Sequence, residues 1–268
     1  MLELLSYEFI QNAIMAGVLV SFASGIIGSL IVVNRMVFLA GGIAHTSYGG
    51  IGLAVYFGFP IFLGASLFAV GASLLIAFIT INQKDKIDTF IGLIWAVGMA
   101  IGIIFIDLST GYNVDLMSYL FGSILAVSLN DITYISILLT IIIFIVTFFY
   151  RQILAVSYDS EYANLRGINA KFFYTLILVL SALTVVIAIK VVGLILVIAL
   201  LTIPIYIAEK LSSSLAFMMF ISGVLSSLFT LIGLWLSYQY DLTSGATIIM
   251  VSALALSLFL PINAMMKN

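Results

Sequence analysis

The chain alternates long apolar runs with short polar breaks, and the runs have membrane-crossing length. A helix spanning the hydrocarbon needs about 20 mostly apolar residues. Nine runs approach that: Ile10–Val33, Phe38–Phe59, Ile61–Ile81, Phe90–Ile106, Ile132–Tyr150, Phe172–Ile189, Val191–Ala208, Ser214–Tyr238 and Gly245–Met265. Between the fourth and fifth, Leu116–Ser128 is apolar but too short to span, and reads as a re-entrant or interfacial helix shielded by protein. The pattern predicts an all-α polytopic integral membrane protein with eight to nine transmembrane helices plus that short helix. The count is eight if the tight joint at Lys190 belongs to a re-entrant pair. No internal repeat or soluble domain interrupts it, so residues 1–268 read as one transmembrane domain.

Composition agrees. The 268 residues are 64% hydrophobic and 7% charged, against about 25% charged in a soluble domain. The chain has no Cys, which removes disulfides and thiolate metal sites. A net charge of −2 makes no electrostatic case for nucleic acid. No base precedes the first apolar run, so that run reads as a retained span and not a cleaved signal.

The longest polar break, Ser157–Lys171, fixes the sidedness. Basic residues concentrate in cytoplasmic loops. With this loop inside, Arg35, Lys84, Lys86, Arg151, Arg166, Lys171, Lys210 and Lys267 all fall inside and only Lys190 outside. The N-terminus is then external and the C-terminus cytoplasmic. Gly17-x3-Ser21-x3-Gly25 and Gly98-x3-Gly102 are stripes of small residues that allow close helix packing. Pro204, inside the seventh run, removes a backbone donor; it is a candidate kink or hinge.

Several chemistries are absent. No Lys follows a Gly, so there is no phosphate-binding Gly-Lys-Ser/Thr loop. No carboxylate lies well inside a span, where an ion-coupled carrier keeps its relay. No nucleophile, base and acid form an evident set, so the chain does not read as an enzyme.

One ionisable residue does lie within a span. His45 has Gly41, Gly42, Tyr48 and Gly49 as its helical i±3 and i±4 neighbours. Its imidazole projects over a face nearly bare of side chains, which either packs tightly on another helix or leaves a cavity. Neutral imidazole binds zinc, manganese and iron ions, so His45 is a candidate pathway ligand; the alternative is a histidine bonded to a carbonyl between helices. On the outer face, by the same topology, Asp107, Asp115, Asp131 and Asp241 join Glu3 and Glu8 with only Lys190 opposing them. Carboxylates at a pore mouth concentrate cations.

Several stretches resemble the membrane-spanning (permease) subunit of bacterial and archaeal zinc/manganese/iron ABC importers. They are Ile26–Leu39 running on to Gly42–His45, Ser118–Ser128, Val191–Pro204 and Leu242–Thr247. Asp159, Glu161, Ala163, Arg166 and Gly167 are similar to the cytoplasmic segment that couples such permeases to their ATPase. There Asp159 and Glu161 suit a helix N-terminus and Gly167 a left-handed end. The resemblance implies a homodimer in the cell membrane, with separate ATPase subunits on the cytoplasmic side. A metal-binding protein delivers cargo outside. It further implies that the chain holds no cofactor, that the divalent metal is cargo, and that ATP is hydrolysed on the partner. One departure stands out: the family's intramembrane Asp-x3-His pattern has Gly41 where the Asp belongs. A permease for a metal chelate or small organic cargo stays open, as does a standalone carrier or channel.

Overall fold

The computed structural model describes residues 7–81, 86–109, 122 and 124–266. Among these there are helices and no strands. In order they are α1 (Glu8–Val33), α2 (Val37–Phe57), α3 (Ile61–Thr80), α4 (Ile87–Asp107), a 3-10 turn (Ile124–Ala126), α5 (Leu129–Phe148), α6 (Tyr150–Tyr158), α7 (Ser160–Leu165), α8 (Ala170–Val192), α9 (Leu194–Leu200), α10 (Ile203–Leu211), α11 (Leu215–Gln239) and α12 (Ser244–Met266). Seven of them are long and apolar enough to cross a membrane: α1, α3, α4, α5, α8, α11 and α12. The predicted Leu116–Ser128 helix lies largely outside the described residues; only the 3-10 turn belongs to it. Asp115 and the loop around Lys84 also fall outside.

The chain forms two compact units. One comprises Met1–Ser29, Met117–Ile143 and Ala188–Asn268; the other comprises Leu30–Leu116 and Phe144–Ile187. Three of the four boundaries fall within α1, α5 and α8.

In the first unit α1 lies against α11. A Cβ on Gly25 would meet the Gly223 Cα at 2.6 Å and the Ser222 carbonyl carbon at 3.1 Å. The backbones therefore touch, which is what a small-residue stripe permits. Hydroxyls line the same seam. Ser21 and Thr230 share a hydrogen bond at 3.2 Å, Ser29 and Ser222 one at 3.3 Å, and Ser222 Oγ donates to the Gly25 carbonyl at 3.0 Å.

The predicted seventh span, Val191–Ala208, is corrected here. Helix α8 runs straight through Lys190 to Val192, so Lys190 sits in its last turn and not at a joint. Cations there are favoured by the helix dipole, and Lys190 pairs with Asp131. The break comes at Gly193, with φ 81° and ψ 166°, backbone open essentially to glycine alone. A second break at Leu201–Thr202 separates α9 from α10. Pro204 is therefore not interior to a helix: it stands at the start of α10, where its missing N–H costs nothing. The helix that does contain a proline is α12, at Pro261. Leu196, Val197, Leu200 and Leu201 are all buried, so the interrupted backbone is shielded by protein, as hydrocarbon requires.

In the second unit α2 packs on α4 and α3. α1 ends in a Schellman turn: Met36 N donates to the Ile31 carbonyl at 2.9 Å and Arg35 N to Val32 at 3.0 Å. Arg35 takes the left-handed position with φ 57°, one usually given to glycine. Tyr174 and Thr80 bond at 2.9 Å.

The α1–α11 seam predicts a contrast. Gly25→Ala must push backbone against backbone, and overpacking of this kind costs about 1–3 kcal/mol. Gly71, in α3, has nothing within 4 Å of its Cβ position, so Gly71→Ala is neutral or gains up to about 1 kcal/mol of helix propensity. Thermal unfolding of the two variants in detergent, followed by circular dichroism, should show a lowered midpoint for the first only.

Candidate functional site

His45 occupies the middle of α2, a helix with five glycines between Val37 and Phe57. Four of them, Gly42, Gly49, Gly50 and Gly52, have atoms of other helices within 3 Å of where a Cβ would stand. A Cβ on Gly42 would strike Ile91 of α4, and one on Gly49 would meet Phe68 of α3 at 2.7 Å and the Gly98 carbonyl at 2.8 Å. In the other direction, a Cβ on Gly98 would meet the Thr46 Cα at 2.8 Å, and one on Gly102 the Tyr48 ring at 2.7 Å. Of the two outcomes the bare face allowed, the structure takes tight packing. The Gly98-x3-Gly102 stripe supplies the other half of the contact.

Within this ladder the His45 ring lies flat on Trp95 of α4, with centroids 4.1 Å apart and planes 10° from parallel. Trp95 Nε1 donates to Met99 Sδ at 3.0 Å. His45 Nδ1 is buried with no hydrogen-bond partner among the described residues. The adjacent hydroxyls are committed elsewhere: Thr46 Oγ1 donates to the Gly42 carbonyl at 2.6 Å and Ser47 Oγ to Ala44 at 2.7 Å. Beside the ladder lies an apolar cavity of about 660 Å³, lined by Thr46, Gly50, Phe68, Val97, Gly98 and Ile101. Such walls offer a bare cation nothing to replace its water.

No three His, Asp or Glu residues come together among the described residues. The outer acids are dispersed. Asp107 ends α4, exposed. Asp241 sits exposed in the turn after α11, at φ 55°, a conformation Asp tolerates better than most. Asp131 is engaged: it accepts from Ser128 N at 3.1 Å and Ser128 Oγ at 2.8 Å, and pairs with Lys190. Among the described residues a cation is thus offered the unpartnered imidazole of His45 and no surrounding cage.

The polar break folds as α6, α7 and the turn into α8. Asp159 caps α7, its Oδ1 accepting from Glu161 N at 3.1 Å and Tyr162 N at 2.9 Å. A second Schellman turn closes it: Ile168 N donates to the Ala163 carbonyl and Gly167 N to Asn164, each at 3.0 Å, with Gly167 at φ 78°. Glu161 is exposed, and the Arg166 guanidinium lies 5.2 Å from the Tyr162 ring centre. Ala163 is 0% exposed, so it faces its own chain. What α7 turns outward is Leu165, 87% exposed, with Tyr162 and, just upstream, Tyr158. Next to it a polar cavity of about 580 Å³ is lined by Asn34, Arg35, Asp88, Ser157, Tyr158 and Ser160. Asn34 Nδ2 donates to Ser157 Oγ at 3.0 Å, joining the turn before α2 to the end of α6.

Three features escape a reading of the sequence: Trp95 over His45, Lys190 on Asp131, and Asn34 on Ser157. Each pairs residues at least 50 positions apart. The only local hint is that Trp95 is one of two tryptophans in the chain.

Comparison with known proteins adds to this geometry. The model of the ABC 3 transport family matches residues 6–263. An uncharacterized membrane protein of Synechocystis sp., slr2045, is 46% identical over 255 residues, covering 95% of this chain and 91% of that one. The manganese transport system membrane protein MntC of Listeria monocytogenes serovar 1/2a is 34% identical over 251 residues, 94% of this chain and 89% of that one. Among solved structures, PsaBC from Streptococcus pneumoniae in complex with Fab superposes with a TM-score of 0.85 at 30% identity, covering 96% of this chain and 92% of that one.

The α7 geometry predicts that Asp159→Ala removes two capping bonds at a cost of about 1 kcal/mol. Hydrogen exchange should quicken severalfold at the Glu161 and Tyr162 amides, with α8 unchanged.

Proposed function

The chain belongs to the ABC 3 transport family, and we propose that it is the permease subunit of a binding-protein-dependent ABC importer for a divalent metal ion. The observation that carries this reading is the end-to-end likeness to a protein named for manganese transport. The residues support it. The chain has no phosphate loop of its own, so hydrolysis falls to an ATPase subunit. His45, with an unsatisfied Nδ1, is the pathway ligand. A second protomer brings a second His45, because one imidazole cannot hold a cation alone. The outer acids Asp107, Asp115, Asp131 and Asp241 draw cations to the external mouth, with Asp131 tempered by Lys190. In a cell membrane the N-terminus lies outside and the C-terminus in the cytoplasm. α2 joins the seven long apolar helices as an eighth span, sheltered by α3 and α4.

The segment Asp159–Gly167 is the ATPase-coupling element. Asp159 and Gly167 set its ends, Ala163 seats it on its own chain, and Leu165 and Tyr162 form the apolar surface offered to the ATPase. Glu161 and Arg166 frame that surface with charge. The breaks at Gly193 and Leu201–Thr202, the second with Pro204 just behind it, are where the first unit can bend during the cycle. A chelated metal is the second reading, favoured by Gly41: without a carboxylate one turn before His45, a neutral site holds a bare cation weakly.

The test is uptake into liposomes by the chain reconstituted with its ATPase and binding protein. Zinc, manganese or iron should stimulate hydrolysis and be transported, and His45→Ala should cut transport by tenfold or more while basal hydrolysis survives. The reading falls if no metal is moved and His45→Ala changes nothing.

A further inference from the structure

We propose that Trp95 is a positioning residue for cargo coordination, its indole fixing the plane of the His45 imidazole. This rests on the reading of His45 as a cargo ligand. A histidine that ligates a metal ordinarily donates its other ring N–H to a carboxylate, a carbonyl or water, which sets the orientation of the ring. Among the described residues no carboxylate or carbonyl does this for His45: neither ring nitrogen is hydrogen-bonded to one of them, and Nδ1 is buried. The Thr46 and Ser47 hydroxyls are committed to α2 carbonyls. Gly41 and Gly42, one turn back, carry no side chain, and the space beside Gly42 is filled by Ile91.

What remains is the stack on Trp95, 4.1 Å away and 10° from parallel. An imidazole nitrogen binds a metal along its lone pair, in the plane of the ring. A face-to-face stack fixes that plane and leaves the ring edges free. Aromatic pairs of this kind stabilise beyond their buried area. The indole is itself held: Nε1 is bonded to Met99 one turn on, and Ile91 one turn back packs against Gly42. Residues 91, 95, 98 and 99 of α4 thus make a fixed wall behind the histidine. Trp95 touches the ligand and not the cargo.

Because Trp235 is the only other tryptophan, a Trp235→Phe background isolates the emission of Trp95. The full chain in lipid nanodiscs would be titrated with Co2+, an open-shell ion that quenches an adjacent indole. We expect saturable quenching of Trp95 that vanishes in His45→Ala. Co2+ affinity, read from its visible absorption, should fall about tenfold to a hundredfold in Trp95→Ala and stay within about threefold in Trp95→Phe, which keeps a stacking ring. The inference is overturned if His45→Ala abolishes Co2+ binding while Trp95→Ala binds as tightly as its parent, or if saturating Co2+ leaves the Trp95 emission unmoved. Normal Co2+ binding by His45→Ala would instead bring down the ligand reading itself, and this inference with it.

Discussion

Backbone contact between α2 and α4 is the constraint on which the second unit depends. In hydrocarbon an apolar side chain gains little by leaving lipid for a neighbouring helix, so association relies on close packing and on hydrogen bonds. α2 meets that condition against α4 through Gly42, Gly49 and Gly52, with Gly98 and Gly102 opposite, and against α3 through Gly50. Glycine also weakens a helix, by roughly 1 kcal/mol per residue against Ala. α2 alone is therefore a poor helix and, with His45, Thr46 and Ser47, a poorly apolar one. It holds its place because its neighbours cover it, and its place determines where His45 points.

Much of the fold is legible in the sequence because lipid imposes length and polarity so strictly. The ends of α1, α3, α11 and α12 lie within a few residues of the expected runs. The ends of α7 are legible too, since Asp159 and Gly167 act through local backbone geometry that residue type announces. The stretch after Phe172 was misread for the opposite reason. Hydropathy places a boundary at the charge on Lys190, whereas the helix ends where Gly193 adopts a backbone that other residues resist. A lysine at a helix end is tolerated when Asp131 receives it. Pro204 misleads similarly, because its effect depends on whether it falls within a helix or at its first turn.

The small polar side chains follow one rule almost throughout. Ser29, Thr46, Thr80, Ser181, Thr184, Ser227 and Ser252 each donate to the carbonyl four residues earlier. A hydroxyl can thus sit in an apolar bundle without a partner on another helix. A few bonds reach further, and Asn34 to Ser157 spans 123 positions. Through it the turn that leads into α2 is tied to the helix that ends at Asp159.

Against that accounting the unsatisfied groups are few: Ser24 Oγ, Ser226 Oγ and His45 Nδ1 among the described residues. Leaving a buried polar atom unbonded costs about 1–3 kcal/mol. A hydroxyl can turn towards a carbonyl of its own helix at little expense. The imidazole cannot, because its two nitrogens are fixed in a ring pinned flat against Trp95. Folding leaves this nitrogen unmet while the surrounding ladder fixes its direction. The result is a ring nitrogen that is buried, oriented and unshared among the described residues. The same packing that makes α2 costly to build holds the His45 ring in one orientation.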